Sequence, residues 1–201
     1  MEGELPNHYV YSPNVIEFVT VAAETCLFWE RIPEFSPKEF VDKSIKILPL
    51  LYLKASLLEI PERELDEIPE RFVTEDDYQI LREELAHLLG KDDSYLDAFH
   101  PDMAFSDTPI AAFISENIAD IYQELKDFAV SYRLAQEELM NDALVVCLET
   151  FGEHWGRKLL SALQALHAIR FSEEFKDNDE NNNSDYPKID RNQFLNFLNE
   201  D

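Results

Sequence analysis

The sequence predicts an all-α fold, and three observations carry that prediction. Only 4 glycines occur in 201 residues; helices exclude glycine, whereas β-rich folds spend it on turns. Apolar residues recur at helical spacing through most of the chain as far as residue 171, which is the pattern of helices burying one face. Capping side chains, three of them followed closely by proline, stand ahead of the first four apolar runs, where they can satisfy the orphan N–H groups of a first turn.

The elements follow in order. Ser12-Pro13 opens a helix over about 14–31 with apolar residues on nearly all sides, among them Val15, Phe18, Ala22, Cys26 and Phe28, the mark of a central helix. Ser36-Pro37 opens a second over about 37–58, with Val41, Ile45, Leu48, Leu51 and Ala55 on one face and a kink expected at Pro49. Residues 59–72, "EIPERELDEIPERF", read as an extended acidic loop. Thr74 starts a third helix over about 75–89, which stops at Gly90, a residue that accepts the left-handed conformation. A loop over 91–108 leads to a fourth helix over about 109–134, capped by Asp107-Thr108-Pro109 and striped by Ile110, Phe113, Ile114, Ile118, Ile121, Leu125, Phe128 and Tyr132. A fifth stretch over about 137–169 has two glycines, Gly152 and Gly156, at either of which it can break in two.

From Ser172 the composition turns polar, acidic and of low complexity, too poor in apolar residues to offset the entropy of ordering it. The expected organisation is therefore a single bundle of five to six helices, mostly antiparallel, over residues 8–171. A flexible acidic tail over 172–201 follows, with a possible short terminal helix at "DRNQFLNFL".

Charge narrows the partners. Forty-two acidic residues against 17 basic ones give a net charge of −25, which repels phosphate backbones and anionic lipid surfaces at long range. Nucleic acid and membrane are excluded as partners on that ground, and a basic protein remains. "ILPLLYLKASLL" (47–58) is interrupted by Lys54 and falls far short of the ~20 apolar residues that span a bilayer. The first residues lack both the basic start and the apolar run of a secretory leader, so the expected location is the cytoplasm. Cys26 and Cys147 sit among apolar neighbours in helix-like runs, where a free thiol behaves as a small hydrophobe in a reducing compartment.

Motifs that would carry a chemistry fail one after another. "KDNDENNNSDYPKIDRNQFLNFL" (176–198) looks like a calcium loop. With Asp177 first, however, Ser184 takes the apolar position and Lys188 replaces the final glutamate; anchoring on Ile189 instead puts Pro187 at the turn. "HPDM" (100–103) carries the His-Pro-Asp of J-domains but lacks their basic helix. Glu84 and His87 have the Glu-x-x-His spacing of di-iron bundles, yet His87 falls toward the polar side, no second copy exists, and Gln164 stands where a partner motif ending at His167 needs glutamate. The loop over 91–108 gathers Asp92, Asp93, Asp97, His100, Asp102 and Asp107, a set that acidic loops assemble routinely. Neither cysteine has a histidine at a diagnostic spacing, no Gly-x-Ser-x-Gly is present, and His154-Trp155 reads as core packing. No catalytic residue, metal site or cofactor is assigned.

One acidic line stands out. Glu116, Asp120 and Glu124 lie four apart on the fourth helix, and Asp127 continues the line. Like charges at that spacing cost on the order of 0.2–0.5 kcal/mol per pair, so a neighbouring arginine, a basic partner or a cation is expected to offset them. Asn117 falls in the apolar stripe of the same helix, where an unpaired amide is expensive, and should be hydrogen-bonded across the bundle.

"ILPLLYLKASLL" (47–58), "SDTPI" (106–110), "IADIYQELKDF" (118–128), "MNDAL" (140–144) and "HWGRKLLSALQALH" (154–167) resemble the bacterial family called domain of unknown function 5063 over roughly residues 9–170. The resemblance implies one compact helical domain and no mechanism. The functional expectation is a cytosolic helical interaction module holding a basic protein partner on the acidic face of Glu116, Asp120, Glu124 and Asp127. The alternative is a metal-binding protein or enzyme working from a pocket between helices, with His87, His100 or His154 as ligand or base. Homo-oligomerisation through an exposed apolar face of the fourth or fifth helix is a third possibility.

Overall fold

The computed structural model describes residues 8–97, 105, 107–173 and 175. The chain divides into two units, Met1–Arg170 and Phe171–Asp201. The expected acidic tail, its terminal helix and the calcium-like stretch fall almost entirely outside the described residues.

The first unit is mostly helical. Its helices are α1 (Pro13–Trp29), α2 (Pro37–Ser56), α3 (Glu75–Leu89), α4 (Ile114–Arg133), α5 (Glu137–Thr150) and α6 (Gly156–Arg170); a π turn, Phe151–Trp155, joins α5 to α6 without interruption. Local chemistry explains the starts of α2 and α3. Ser36 and Glu39 form a reciprocal capping box at α2, and Thr74 and Asp77 form another at α3, each satisfying two N–H groups that a helix start leaves unpaired. Gly90 ends α3 with φ of 55°, a conformation glycine adopts without steric penalty. Ser12 occupies the cap position of α1, but its side chain accepts no capping bond there.

Three expectations are corrected. The fold is not purely α: Ser94–Asp97 (β1) and Ile110–Phe113 (β2) pair antiparallel, with Ser94 opposite Phe113 and Asp97 opposite Ile110. The fourth helix accordingly starts at Ile114 rather than 109, and Ile110 and Phe113 belong to a strand instead of its stripe. Pro109 does not open a helix; it immediately precedes the strand, where a missing N–H removes no ladder hydrogen bond. Finally, α4 rather than α1 is the central helix, since α4 packs against α1, α3, α5 and α6. Part of α1's apolar excess faces solvent, with Ile16 and Leu27 exposed.

The core lies around α4, where Ile114, Ile118, Ile121 and Leu125 are fully buried with Phe18 and Trp29 of α1 and Trp155 of the π turn. The Phe18 and Phe128 rings stack with centroids 5.3 Å apart. No helix among the described residues is long and apolar enough to cross a membrane.

The acidic segment 59–72 is a strap tied down by carboxylates. Asp142 of α5, fully buried, accepts the Glu64 N–H through Oδ1 at 2.8 Å and the Leu65 N–H through Oδ2 at 3.0 Å. Beside it, Asn141 donates to the Glu62 carbonyl at 2.7 Å. Asp127 of α4 accepts the Phe72 and Val73 N–H groups on a single oxygen, at 2.7 and 2.9 Å. Extended backbone has no ladder of its own, so its donors need side-chain acceptors wherever it lies against the core.

Candidate functional site

A hollow of about 300 Å³ opens between the hairpin, the start of α4 and the π turn with α6. Asp97 and the stretch Ala111–Phe113 form one side; Glu116 and Asn117 of α4 form the floor; Glu153, His154, Arg157, Lys158 and Ser161 form the other side.

The hairpin is held at the mouth of α4 by Asp93. Its carbonyl accepts the Ile114 N–H at 2.9 Å, while its carboxylate accepts the Ser115 N–H at 2.8 Å and the Ser115 hydroxyl at 2.7 Å. The α4 start thus takes its cap from a residue 22 positions upstream, and a carboxylate there is further favoured by the positive end of the helix. Asn117 donates to the Tyr95 hydroxyl at 2.5 Å, so its buried amide is satisfied by the hairpin instead of by a neighbouring helix. Ser161 of α6 donates to Asp97 at 3.3 Å, linking the two sides.

The π turn shapes the far wall. The Gly156 N–H reaches the Phe151 carbonyl five residues back, and a Cβ at Gly156 would stand 2.4 Å from that oxygen. Only glycine fits there without displacement. Trp155 is fully buried and its indole N–H donates to the Cys147 carbonyl at 2.8 Å, which anchors the turn to the core while its neighbours face the hollow. Such turns are frequent at functional sites.

The acidic line of α4 is engaged within the chain. Asp120 accepts the Tyr78 hydroxyl at 2.9 Å and lies 3.0 Å from Lys158 and 3.8 Å from His154. Glu124 accepts from Thr150 at 3.0 Å and lies 3.5 Å from Arg71. Asp127 holds the strap, and burial raises its carboxyl pKa against the pull of the two N–H donors. Glu116 is more exposed than Asp120 and Glu124, at 45% of its side chain, with Arg82 3.9 Å away. Burial, and then the Asp120 carboxylate, likewise push the Tyr78 phenol up.

Other candidates separate. His87 is exposed and Glu84 half-buried, as expected of a solvated helix face. Among the described residues no group of three His, Cys, Asp or Glu side chains is placed to hold a metal ion; His100 and Asp102 lie outside the described residues. Cys26 and Cys147 are free and buried, and burial raises both thiol pKa values, which keeps them from acting as nucleophiles. His154-Trp155 splits: Trp155 is core, whereas His154 is exposed and lines the hollow. Glu153, Arg157, Lys158 and Ser161 were not singled out as site residues from sequence. The available signal was the pair of glycines bracketing "EHW" inside a long helical run, which points to an irregular turn.

With the fold and this hollow in view, the chain falls into a class: helical domains with a small hairpin closing one end of the central helix. It belongs to the family described as Domain of unknown function (DUF5063), whose model matches residues 9–172. Among solved structures it is similar to protein BF1032 from Bacteroides fragilis, with 46% identity and a TM-score of 0.72 over 81% of this chain and 96% of that one. Comparison with curated proteins finds no match.

Proposed function

We propose that this protein recognises a small polar ligand in the hollow between the hairpin, α4 and the π turn. One observation carries the reading: opposite charges, Glu153 and Arg157, line the same hollow and make no ion pair among the described residues. In a regular helix a glutamate four residues ahead of an arginine would pair with it. Here the wider π turn intervenes, and neither group is taken up by another described residue. The volume sits at the small end of ligand sites, and the lining is mostly polar and charged, with Ala111, Ala112 and Phe113 as its apolar part, which suits a polar ligand. As part of this reading the helices form a mostly antiparallel bundle that serves as a rigid frame. A bacterial cytoplasmic setting accords with two buried free thiols.

The test is a thermal-shift screen of a chemically varied metabolite set against the wild type and Ala111→Trp. Ala111 is exposed on β2, a strand position that tolerates an aromatic residue, so the variant should fold and fill the hollow. Ligands that stabilise the wild type but not the variant support the reading; a set in which none does so sinks it.

A second reading, a basic protein partner on the acidic face, is supported by the net charge of −25 and by the exposure of Glu116. It predicts that a lysine-rich peptide binds more weakly to Glu116→Gln than to Glu83→Gln, in a salt-dependent manner. Equal weakening by the two substitutions would leave only a non-specific charge effect.

A further inference from the structure

Resting on the pocket reading, we infer that the ligand is a small zwitterion of the amino-acid or short-peptide class, its carboxylate on Arg157, its ammonium on Glu153, and its backbone along the edge of β2 opposite β1. The hairpin supplies the first argument. Side chains of a strand alternate between faces, so a strand presenting one face to a hollow would line it with every second residue. Ala111, Ala112 and Phe113 all line it consecutively, more than one face of the strand can supply, so the main chain of β2 takes part in the wall. Among the described residues the sheet has two strands, so one edge of β2 is unpaired among them, and two adjacent alanines leave that backbone approachable. A main chain laid there gains strand-like hydrogen bonds.

Charge supplies the second argument. Lys158 is committed to Asp120 at 3.0 Å, which leaves Arg157 as the cation of the hollow without an ion pair among the described residues. A guanidinium presents a planar fork that matches a carboxylate bidentately. Glu153 stands in the π turn ahead of it, the anion with no ion pair among the described residues. A multiply charged anion such as phosphate would meet three carboxylates in the lining, those of Asp97, Glu116 and Glu153. A simple cation would meet Arg157 and Lys158. A molecule with one charge of each sign on a short backbone satisfies both groups and opposes neither.

The experiment is an amide-resolved NMR titration of the full chain with alanine and dialanine, their N-acetyl and C-amide derivatives, and inorganic phosphate. The expected result is saturable shifts at Ala111, Ala112 and Arg157 with the free zwitterions, weakened roughly tenfold or more when either end is blocked. Arg157→Gln should weaken the probes that carry a carboxylate and leave the C-amides unchanged, and Glu153→Gln should do the reverse for the ammonium. Both positions are exposed, so folding is not at stake. Blocked derivatives binding as well as the zwitterion, or phosphate binding equally at the same residues, would overturn the inference. If the metabolite screen finds a pocket ligand of another class while these probes shift nothing, the zwitterion assignment fails and the pocket reading stands. If neither experiment perturbs the hollow, both fail.

Discussion

Gly156 is where a single missing methyl group decides local geometry. Its Cβ would meet the Phe151 carbonyl at 2.4 Å, and a backbone oxygen in a packed turn cannot swing aside as a side-chain tip can. Gly156→Ala should therefore destabilise the chain by about 1–3 kcal/mol through forced backbone shifts. Gly152, four residues earlier, has open space around the same position. Gly152→Ala should be neutral or stabilising by up to about 1 kcal/mol, as ordinary helix propensity dictates. Urea unfolding of the two variants checks the pair, and equal losses would mean that the π turn plays no part in the difference. Sequence showed both glycines as possible breaks and could not rank them, because the clash is with an atom whose position depends on the turn itself.

At the scale of elements, the strap over 59–72 separates two carboxylates that look alike in sequence. Asp142 uses both oxygens, one for each of the Glu64 and Leu65 N–H groups, whereas Asp127 serves Phe72 and Val73 with one. An asparagine has a single acceptor oxygen. Asp142→Asn should thus leave one N–H unsatisfied and cost roughly 1–3 kcal/mol, while Asp127→Asn can keep both of its bonds; denaturant midpoints of the two variants measure the contrast.

The pH dependence of Asp127→Asn follows from burial, which raises the carboxyl pKa of Asp127 in the folded chain. The folded state then holds that proton more tightly than the unfolded state, so the group favours folding at low pH and works against it once pH has risen through the folded pKa. Relative to the wild type, Asp127→Asn should gain most at neutral pH, and the gain should shrink as pH falls through the carboxylate range. Unfolding curves for both proteins at neutral and acidic pH would expose the opposite trend. The capping boxes at α2 and α3 were legible because all their atoms lie within four residues. The start of α4 was not: Asp107-Thr108-Pro109 carries a local cap signal, but Asp93 and the hairpin supply the cap instead.

Over the whole molecule, the net charge of −25 acts as self-repulsion that folding compresses. Raising ionic strength from 0.01 to 0.1 M shortens the screening length from about 30 to about 10 Å. The melting temperature should rise over that range, and calorimetry at a series of sodium chloride concentrations would detect a flat or falling trend. Sequence by itself determined the helical character, the extents of α1 to α3, the buried thiols and the acidic exterior, because hydrophobic period, capping and composition act over a few residues or over the total charge. Only the tertiary structure decided that Ile110–Phe113 is a strand, that α4 is central, that most of the acidic line of α4 is spent inside the fold, and that Glu153 and Arg157 face a hollow with the hairpin. Those outcomes depend on which distant segments meet, and apolar residues such as Ile110 and Phe113 satisfy a helical stripe and a strand equally well until a partner strand is in place.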